Sequence, residues 1–460
     1  MLRASAIAVA ATLIACSVFA QGRPGAAPPA ARYAVIHAGT LLAVPGEPPA
    51  RDMTVVIKDA VIDRVAAGYQ DPAALGLPSE TTVIDLRERF VLPGLMDAHV
   101  HLRSQPSDFA RGQGIRRGRL TPLPADLTVN AVVYARRTLA AGFTTVRDVG
   151  SDDQSVIAVR DAVNAGRIVG PRILTSGAAL SATGGHADGS SVEGDQLRAR
   201  LMDGVCDGVD DCTTAVRFQH KLGADLIKFT ATGGFASTQT FEQQLFFPEM
   251  KAIVDAAHQL EMKVAVHAYT PNAIADAVKA GADSIEHGFF VDDATLKLMK
   301  QKGTFLVPTL SAAYPPPFLG IKDPPSVRMR NEARAFERAY AMGVNIAFGT
   351  DAGTFNHAEN AKEFGYMVEF GMSTADALVA ATVKTAQLFG LTDVGTLEPG
   401  KLADLIAVRG NPLDDVATLT EIDFVMKSGV VAKRDGTMLD GFTYLPFGSD
   451  RPRQSSRGGN

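Results

Sequence analysis

The chain has 460 residues, 46 % of them hydrophobic, and a formal net charge of −5. That length accommodates a large catalytic domain with a smaller companion. The small net charge, without a basic block or a basic–aromatic stripe, argues against nucleic acid as a partner.

In chain order, residues 1–20 read as a signal peptide. Arg3 precedes an apolar run over residues 6–15 that is too short to span a membrane as a mature helix. Two processing readings stay open. Val18-Phe19-Ala20 before Gln21 fits a signal-peptidase site, whereas Leu13-Ile14-Ala15-Cys16 resembles a lipobox with Cys16 as the lipid anchor. Either reading predicts export, to the periplasm or beyond, with no membrane span in the mature chain. Residues 21–32, rich in Pro, Gly and Ala, read as a flexible leader.

Short alternating segments follow at residues 33–44, 54–57 and 61–65, separated by Pro, Gly and Asp. A matching set returns at residues 405–408, 424–428 and 430–433. Residues 33–92 and 396–443 are therefore expected to pair into one small β-sandwich, with residues 93–395 inserted between the halves. Residues 444–460 have no apolar face and read as a disordered tail.

The inserted segment alternates strand and helix. Strands are expected at residues 95–101, 144–148, 172–176, 225–230, 263–268, 284–287, 304–309 and 345–350. Amphipathic helical runs fall at 129–141, 213–222, 248–260, 272–280 and 327–342. Gly142, Gly223, Gly281, Gly303 and Gly343 precede strands, where a glycine stops a helix in the left-handed conformation. Eight strands mostly separated by helices predict an α/β fold, a (β/α)8 TIM barrel. Cys206 and Cys212 flank Gly208, which fits a loop disulfide in an oxidising compartment, with free structural thiols as the alternative.

Six polar residues close these expected strands. His99 and His101, two apart on the first, face the same side and together suit a divalent metal such as zinc. Lys228, His267, His287 and Asp351 close the fourth, fifth, sixth and eighth strands. Each alone has a bland reading: a paired lysine, a satisfied histidine or a helix-capping aspartate. Six at equivalent ends, on the face where barrel active sites sit, point to a metal centre.

Two further residues are candidates for holding a reacting carbonyl. His186 lies in a glycine-flanked loop after the third strand, and Tyr269 shares a side of the fifth strand with His267. A loop-stabilising histidine and a packing tyrosine are the alternatives. Arg103, Arg111, Arg116, Arg117 and Arg119 in the loop after the first strand could pair with a carboxylate or simply form a solvated face. Tyr314-Pro-Pro-Pro-Phe318 reads as a stiff apolar rim.

Val91-Leu-Pro-Gly-Leu-Met-Asp-Ala-His-Val-His101, Gly349-Thr-Asp-Ala352 and Gly395-Thr-Leu-Glu-Pro-Gly-Lys-Leu-Ala-Asp-Leu405 resemble the amidohydrolase superfamily of metal-dependent hydrolases. Thr183-Gly-Gly-His-Ala-Asp188, Lys228-Phe-Thr-Ala-Thr-Gly-Gly234 and His267-Ala-Tyr269 resemble its imidazolonepropionase-related branch, which includes Xaa-Pro dipeptidases and amidases acting on ochratoxin A. The resemblance implies two divalent ions, most simply Zn2+, bridged by a carbamylated Lys228. His99, His101 and Asp351 would hold one ion, and His267 and His287 the other. It implies attack of a metal-bridging hydroxide on the amide bond of a dipeptide or N-acyl amino acid, with Asp351 moving the proton. It also implies a homo-oligomer. The alternative is a mononuclear deaminase or imidazolonepropionase, whose sites normally lack the bridging lysine. A relative without activity is disfavoured because every ligand position is filled.

Overall fold

The protein is described from a computed structural model over residues 31–106, 124–151, 154–188, 204–234, 241–313 and 325–439, without the side chains of 325–332. The expected signal peptide, nearly all of the leader, the tail and the rim from Tyr314 to Phe318 lie outside the described residues, as do Arg111, Arg116, Arg117 and Arg119.

The chain enters through four strands, β1 (Tyr33–Leu41), β2 (Ala50–Lys58), β3 (Val61–Ala67) and β4 (Thr82–Pro93). Consecutive β-branched residues such as Val35-Ile36 and Val55-Val56-Ile57 are all buried, so the centre of this sheet is covered on both faces. Gly94 then lets the backbone pass close to the next strand, where a Cβ would sit 2.2 Å from Thr144 Oγ1. Beyond it lie β5 (Leu95–Val100), β6 (Phe143–Asp148) and β7 (Arg172–Thr175), which form a parallel three-stranded sheet. A parallel four-stranded sheet follows, built from β8 (Leu226–Thr230), β9 (Lys263–Ala268), β10 (Ser284–His287) and β11 (Phe305–Val307).

Helices separate these strands, at Pro124–Ala140, Ser155–Asn164, Val209–Leu222, Phe247–Gln259, Pro271–Ala280, Asp293–Lys302 and Pro325–Ala341. Their apolar sides pack with outward residues of the strands, such as Ile227, Val264 and Ile285, in one large core. All five helix-stopping glycines adopt positive φ. Gly223, at φ 96°, shows the reason: its N–H turns back to the His220 carbonyl as the helix ends. Cys206 and Cys212 are joined in a disulfide.

The two parallel sheets belong to a TIM-barrel-like α/β architecture, and backbone hydrogen bonds link them on both sides. On one side Leu180 donates to the Lys228 carbonyl at 2.8 Å and accepts from Thr230 at 2.9 Å. On the other, the segment expected as an eighth strand forms no regular ladder. It bonds first to β11, Ala347 N–H to Leu306 O at 3.0 Å, and then to β5, Asp351 N–H to His99 O at 2.7 Å. The ladder is broken because the partner changes midway and Asp351 takes a left-handed φ of 62°.

The last strands are β12 (Leu405–Val408), β13 (Phe424–Lys427), β14 (Val430–Arg434) and β15 (Thr437–Met438). They return to the first four as one eight-stranded sheet, in the order β15-β14-β13-β12-β4-β1-β2-β3. The two chain ends thus pair with each other, and β4 makes the bonding continuous. Its first part pairs in parallel with β1, and its last four residues pair antiparallel with β12. The sheet has its own apolar core, including Ile36, Val55, Val91, Leu405 and Phe424. No helix among the described residues is long and apolar enough to cross a membrane.

Candidate metal centre

The C-terminal ends of β5, β8, β9 and β10 and the segment leading to Asp351 converge. His99, Lys228, His267, His287 and Asp351 are buried, and His101 is about one-quarter exposed, at 28 % of its side chain. His99 Nε2 and His101 Nε2 lie 3.5 and 3.2 Å from the same Asp351 oxygen. Two donors each about 2.1 Å from one zinc ion would themselves be about 3.0–3.4 Å apart. The three ligand atoms of His99, His101 and Asp351 all fall within 4.8 Å of one another. The rings of His267 and His287 follow at 4.7 Å, and those of His99 and His287 at 5.0 Å.

The remaining ring nitrogens test whether this set suits a metal. His99 Nδ1 donates to Glu286 Oε2 at 2.7 Å, and His101 Nδ1 to the Gly150 carbonyl at 3.3 Å. His267 Nε2 donates to the Gly233 carbonyl at 3.2 Å. The Thr309 hydroxyl donates to Pro308 O, so at 2.7 Å from His287 Nδ1 it accepts the imidazole N–H. Each imidazole thus has an acceptor at one nitrogen and keeps a lone pair on the other. Metal-binding histidines need that arrangement. The residues present fit divalent metal.

The electrostatics agree. Burial, with the nearby Lys228 charge, pushes His99 down to about 4, and burial holds His267 and His287 well below the usual histidine range. These three rings are therefore neutral donors at physiological pH, whereas His101 is raised, its burial outweighed by the hydrogen bond and charge of Asp351. Burial raises the Asp351 carboxyl, but the His101 hydrogen bond and the surrounding imidazoles outweigh it and pull it below the usual range. Lys228 is lowered to about 8 by burial, which the carboxylates of Glu286 and Asp351 only partly offset. Among the described residues, no hydrogen bond or ion pair to its ammonium is found.

His186 stacks on His267 with ring centroids 4.3 Å apart, and its buried Nδ1 has no hydrogen-bond partner among the described residues. Burial lowers it to about 4. Gly234 makes this stacking possible, since a Cβ there would come within 2.7 Å of the His186 ring. Tyr269 is buried and stacks on His287 at 5.2 Å. Both carbonyl-holding candidates therefore lie beside the histidines. Of the loop arginines, Arg103 alone falls within the described residues.

Four residues that hold this site were not singled out from the sequence. Asp97 accepts from the backbone of His99 at 3.0 Å and of Thr350 at 3.1 Å, which ties the two ligand-bearing segments together. Thr309 fixes His287. Glu286 and Arg147 lie beneath His99, fully or almost fully buried. The available signal was a charge inside an apolar strand, as in Thr145-Val146-Arg147 and Ser284-Ile285-Glu286.

Comparison with known proteins bears on the same residues. The amidohydrolase family model matches residues 90–432. An ochratoxinase from Aspergillus niger is 32 % identical over 443 residues, covering 88 % of this chain and 88 % of that one. A solved Xaa-Pro dipeptidase with methionine bound in its active site shares 37 % identity at a TM-score of 0.79, across 87 % of this chain and 100 % of that chain. A prolidase complexed with N-methylphosphonate-L-proline shares 31 % identity at a TM-score of 0.76, again across 87 % and 100 %. With the match running through the histidines, the lysine and the aspartate described above, the chain belongs to the amidohydrolase family.

Proposed function

We propose that this amide-bond hydrolase cleaves dipeptides or N-acyl amino acids whose amine half carries a free carboxylate and ends in proline or a bulky apolar residue. Ochratoxin-like N-acyl phenylalanines are within that range. The observation that carries the reading is the convergence of four imidazoles, a buried lysine and an ionised aspartate at one end of the parallel strands.

In this reading His99, His101 and Asp351 would hold one divalent ion, and His267 and His287 a second, with a carbamylated Lys228 as a further ligand; Zn2+ would suit the donors. Lowering of the lysine to about 8 supports the modification, because only the neutral amine adds carbon dioxide. When bound, the ions supply an acidified water and polarise the amide carbonyl. The chain's own groups do the rest. Asp351 is ionised at neutral pH, so it accepts the proton of the attacking water and delivers it to the leaving amine. His186, through its unpartnered Nδ1, and Tyr269 donate to the carbonyl oxygen as charge builds on it.

An aromatic wall supports the preference for a bulky side chain. Tyr269 contacts Phe241 at 5.6 Å, and Phe241 contacts Phe290, which is 38 % exposed, at 6.1 Å. The wall leads outward from His267 and His287. Burying a Phe-sized group is worth roughly 1.5–3 kcal/mol, or at least about tenfold in specificity.

We further infer that the bonds of residues 345–352 to β11 and β5 complete an eight-membered ring. Residues 93–395 would then be the catalytic unit, with 33–92 and 396–443 as its companion. The Cys206–Cys212 disulfide supports export to an oxidising compartment. A homo-oligomer belongs to the same reading through the family alone.

The test compares an N-acyl phenylalanine, its C-terminal amide and the matching N-acyl glycine on zinc-loaded protein. The free-acid phenylalanine substrate should have at least about tenfold the kcat/KM of the N-acyl glycine, and a higher kcat/KM than its amide. Equal values would refute both the carboxylate requirement and the apolar preference. Opening of imidazolonepropionate or deamination of a purine, without amide cleavage, would replace the reading with the mononuclear one.

A further inference from the structure

Arg147 is among the largest fully buried side chains of the protein, at 2 % exposure, and Glu286 beside it is at 0 %. A guanidinium and a carboxylate taken out of water cost several kcal/mol of desolvation each, which apolar packing of the same volume would avoid. Their bonds are directed at one ligand. Arg147 Nη2 donates to Glu286 Oε1 at 2.8 Å, and the other carboxylate oxygen accepts His99 Nδ1–H at 2.7 Å. Arg147 Nε donates to the Ala98 carbonyl at 2.6 Å, the peptide immediately before His99. Ser284 completes the set: its hydroxyl donates to Glu286 Oε1 and lies 3.2 Å from both terminal guanidinium nitrogens.

The geometry points to Arg147 and Glu286 as a positioning pair for His99, which fixes the ring from Nδ1 while the guanidinium fixes the backbone that carries it. This rests on the metal-binding reading given above. The consequence is specific. With Nδ1–H committed to Glu286, His99 presents the Nε2 lone pair toward Asp351 and cannot turn over to the opposite tautomer. Neither Arg147 nor Glu286 is a ligand or touches substrate. His287, next in sequence to Glu286, points to the same site because its φ of 70° breaks the strand alternation. One short strand therefore supplies both a ligand and the support of another.

The test uses the full chain with zinc and cobalt(II) as probes. The double variant Arg147→Met, Glu286→Gln removes both buried charges together and so avoids leaving one unpaired. Ser284→Ala removes a polar neighbour that does not contact His99. We expect the double variant to fold, to bind zinc about 10–100-fold more weakly than the unaltered protein, and to shift the visible absorption of its cobalt form. Ser284→Ala should leave both readouts close to those of the unaltered protein. Unchanged zinc affinity and cobalt spectrum in the double variant would overturn the assignment. So would an equal loss in Ser284→Ala, or a double variant that does not fold, which would make the pair a folding element. Failure of the unaltered protein to bind either ion would instead remove the metal reading itself.

Discussion

In the eight-stranded sheet, left-handed backbone at Asp59, Ser428 and Asp435 falls in the tight turns between neighbouring strands, and inside a strand only Asp52 adopts it, a residue type that tolerates it. At the metal end, His287, Thr309 and Asp351 adopt the same conformation at the ends of strand-like segments, facing the cluster. A β-branched threonine or a histidine there costs on the order of 1–3 kcal/mol each. The interiors differ in the same way. Ile36, Val55, Val91 and Phe424 fill the sheet's core, whereas the metal end buries three imidazoles, a lysine, an arginine and several carboxylates. The sheet is arranged for stability, and the other end holds costly groups in place. Buried charge concentrated in one region marks the place where this fold does chemistry.

If that division is real, substitutions in the two regions should separate activity from stability. The largest effect belongs to Asp351→Asn, which should lower turnover by several orders of magnitude by removing the proton acceptor. Metal content must be measured on the same sample, since Asp351 is also a proposed ligand. A fully metallated variant with near-normal turnover would exclude Asp351 as the proton carrier.

Phe424→Ala, in the core of the sheet, should cost about 3–5 kcal/mol of stability, read by denaturant unfolding. Its metal content and kcat/KM per folded molecule should match those of the unaltered protein. Loss of metal from that variant while it remains folded would show that the two regions are coupled.

Chelation sharpens the contrast from the other side. Removing divalent ions should lower the melting temperature, and returning them at about 100 times Kd should restore about 2.7 kcal/mol for each ion bound. The increment should be the same in Phe424→Ala, because distant sites add. A melting temperature indifferent to chelator would contradict a metal centre. The smallest effect is expected from Phe290→Ala. Being exposed, it should change stability little and reduce the phenylalanine-over-glycine preference by a few-fold. An unchanged preference would remove the aromatic wall from substrate recognition.

Much of this was legible before any coordinates. Strand and helix alternation, the stopping glycines and six polar strand ends are local patterns, and all six residues converge. Residues 345–350 were misread because an alternating pattern does not reveal a segment that changes partner midway. The continuity through β4 was missed for a related reason. Arg87-Glu88-Arg89 interrupts the strand pattern at a register shift, although Thr82–Leu86 and then Phe90 and Val91 pair with β1. Arg147 and Glu286 were passed over because their role depends on a contact made across 139 positions of the chain. Nothing in either local sequence specifies that neighbour.

The most direct measurement of the central claim is elemental analysis of the purified chain beside Lys228→Ala, each with its unfolding curve. The account predicts about two divalent metals per folded chain, lost together with most activity when the lysine is replaced. A single metal, unchanged in a folded Lys228→Ala protein, would contradict the bridged pair and favour a mononuclear hydrolase.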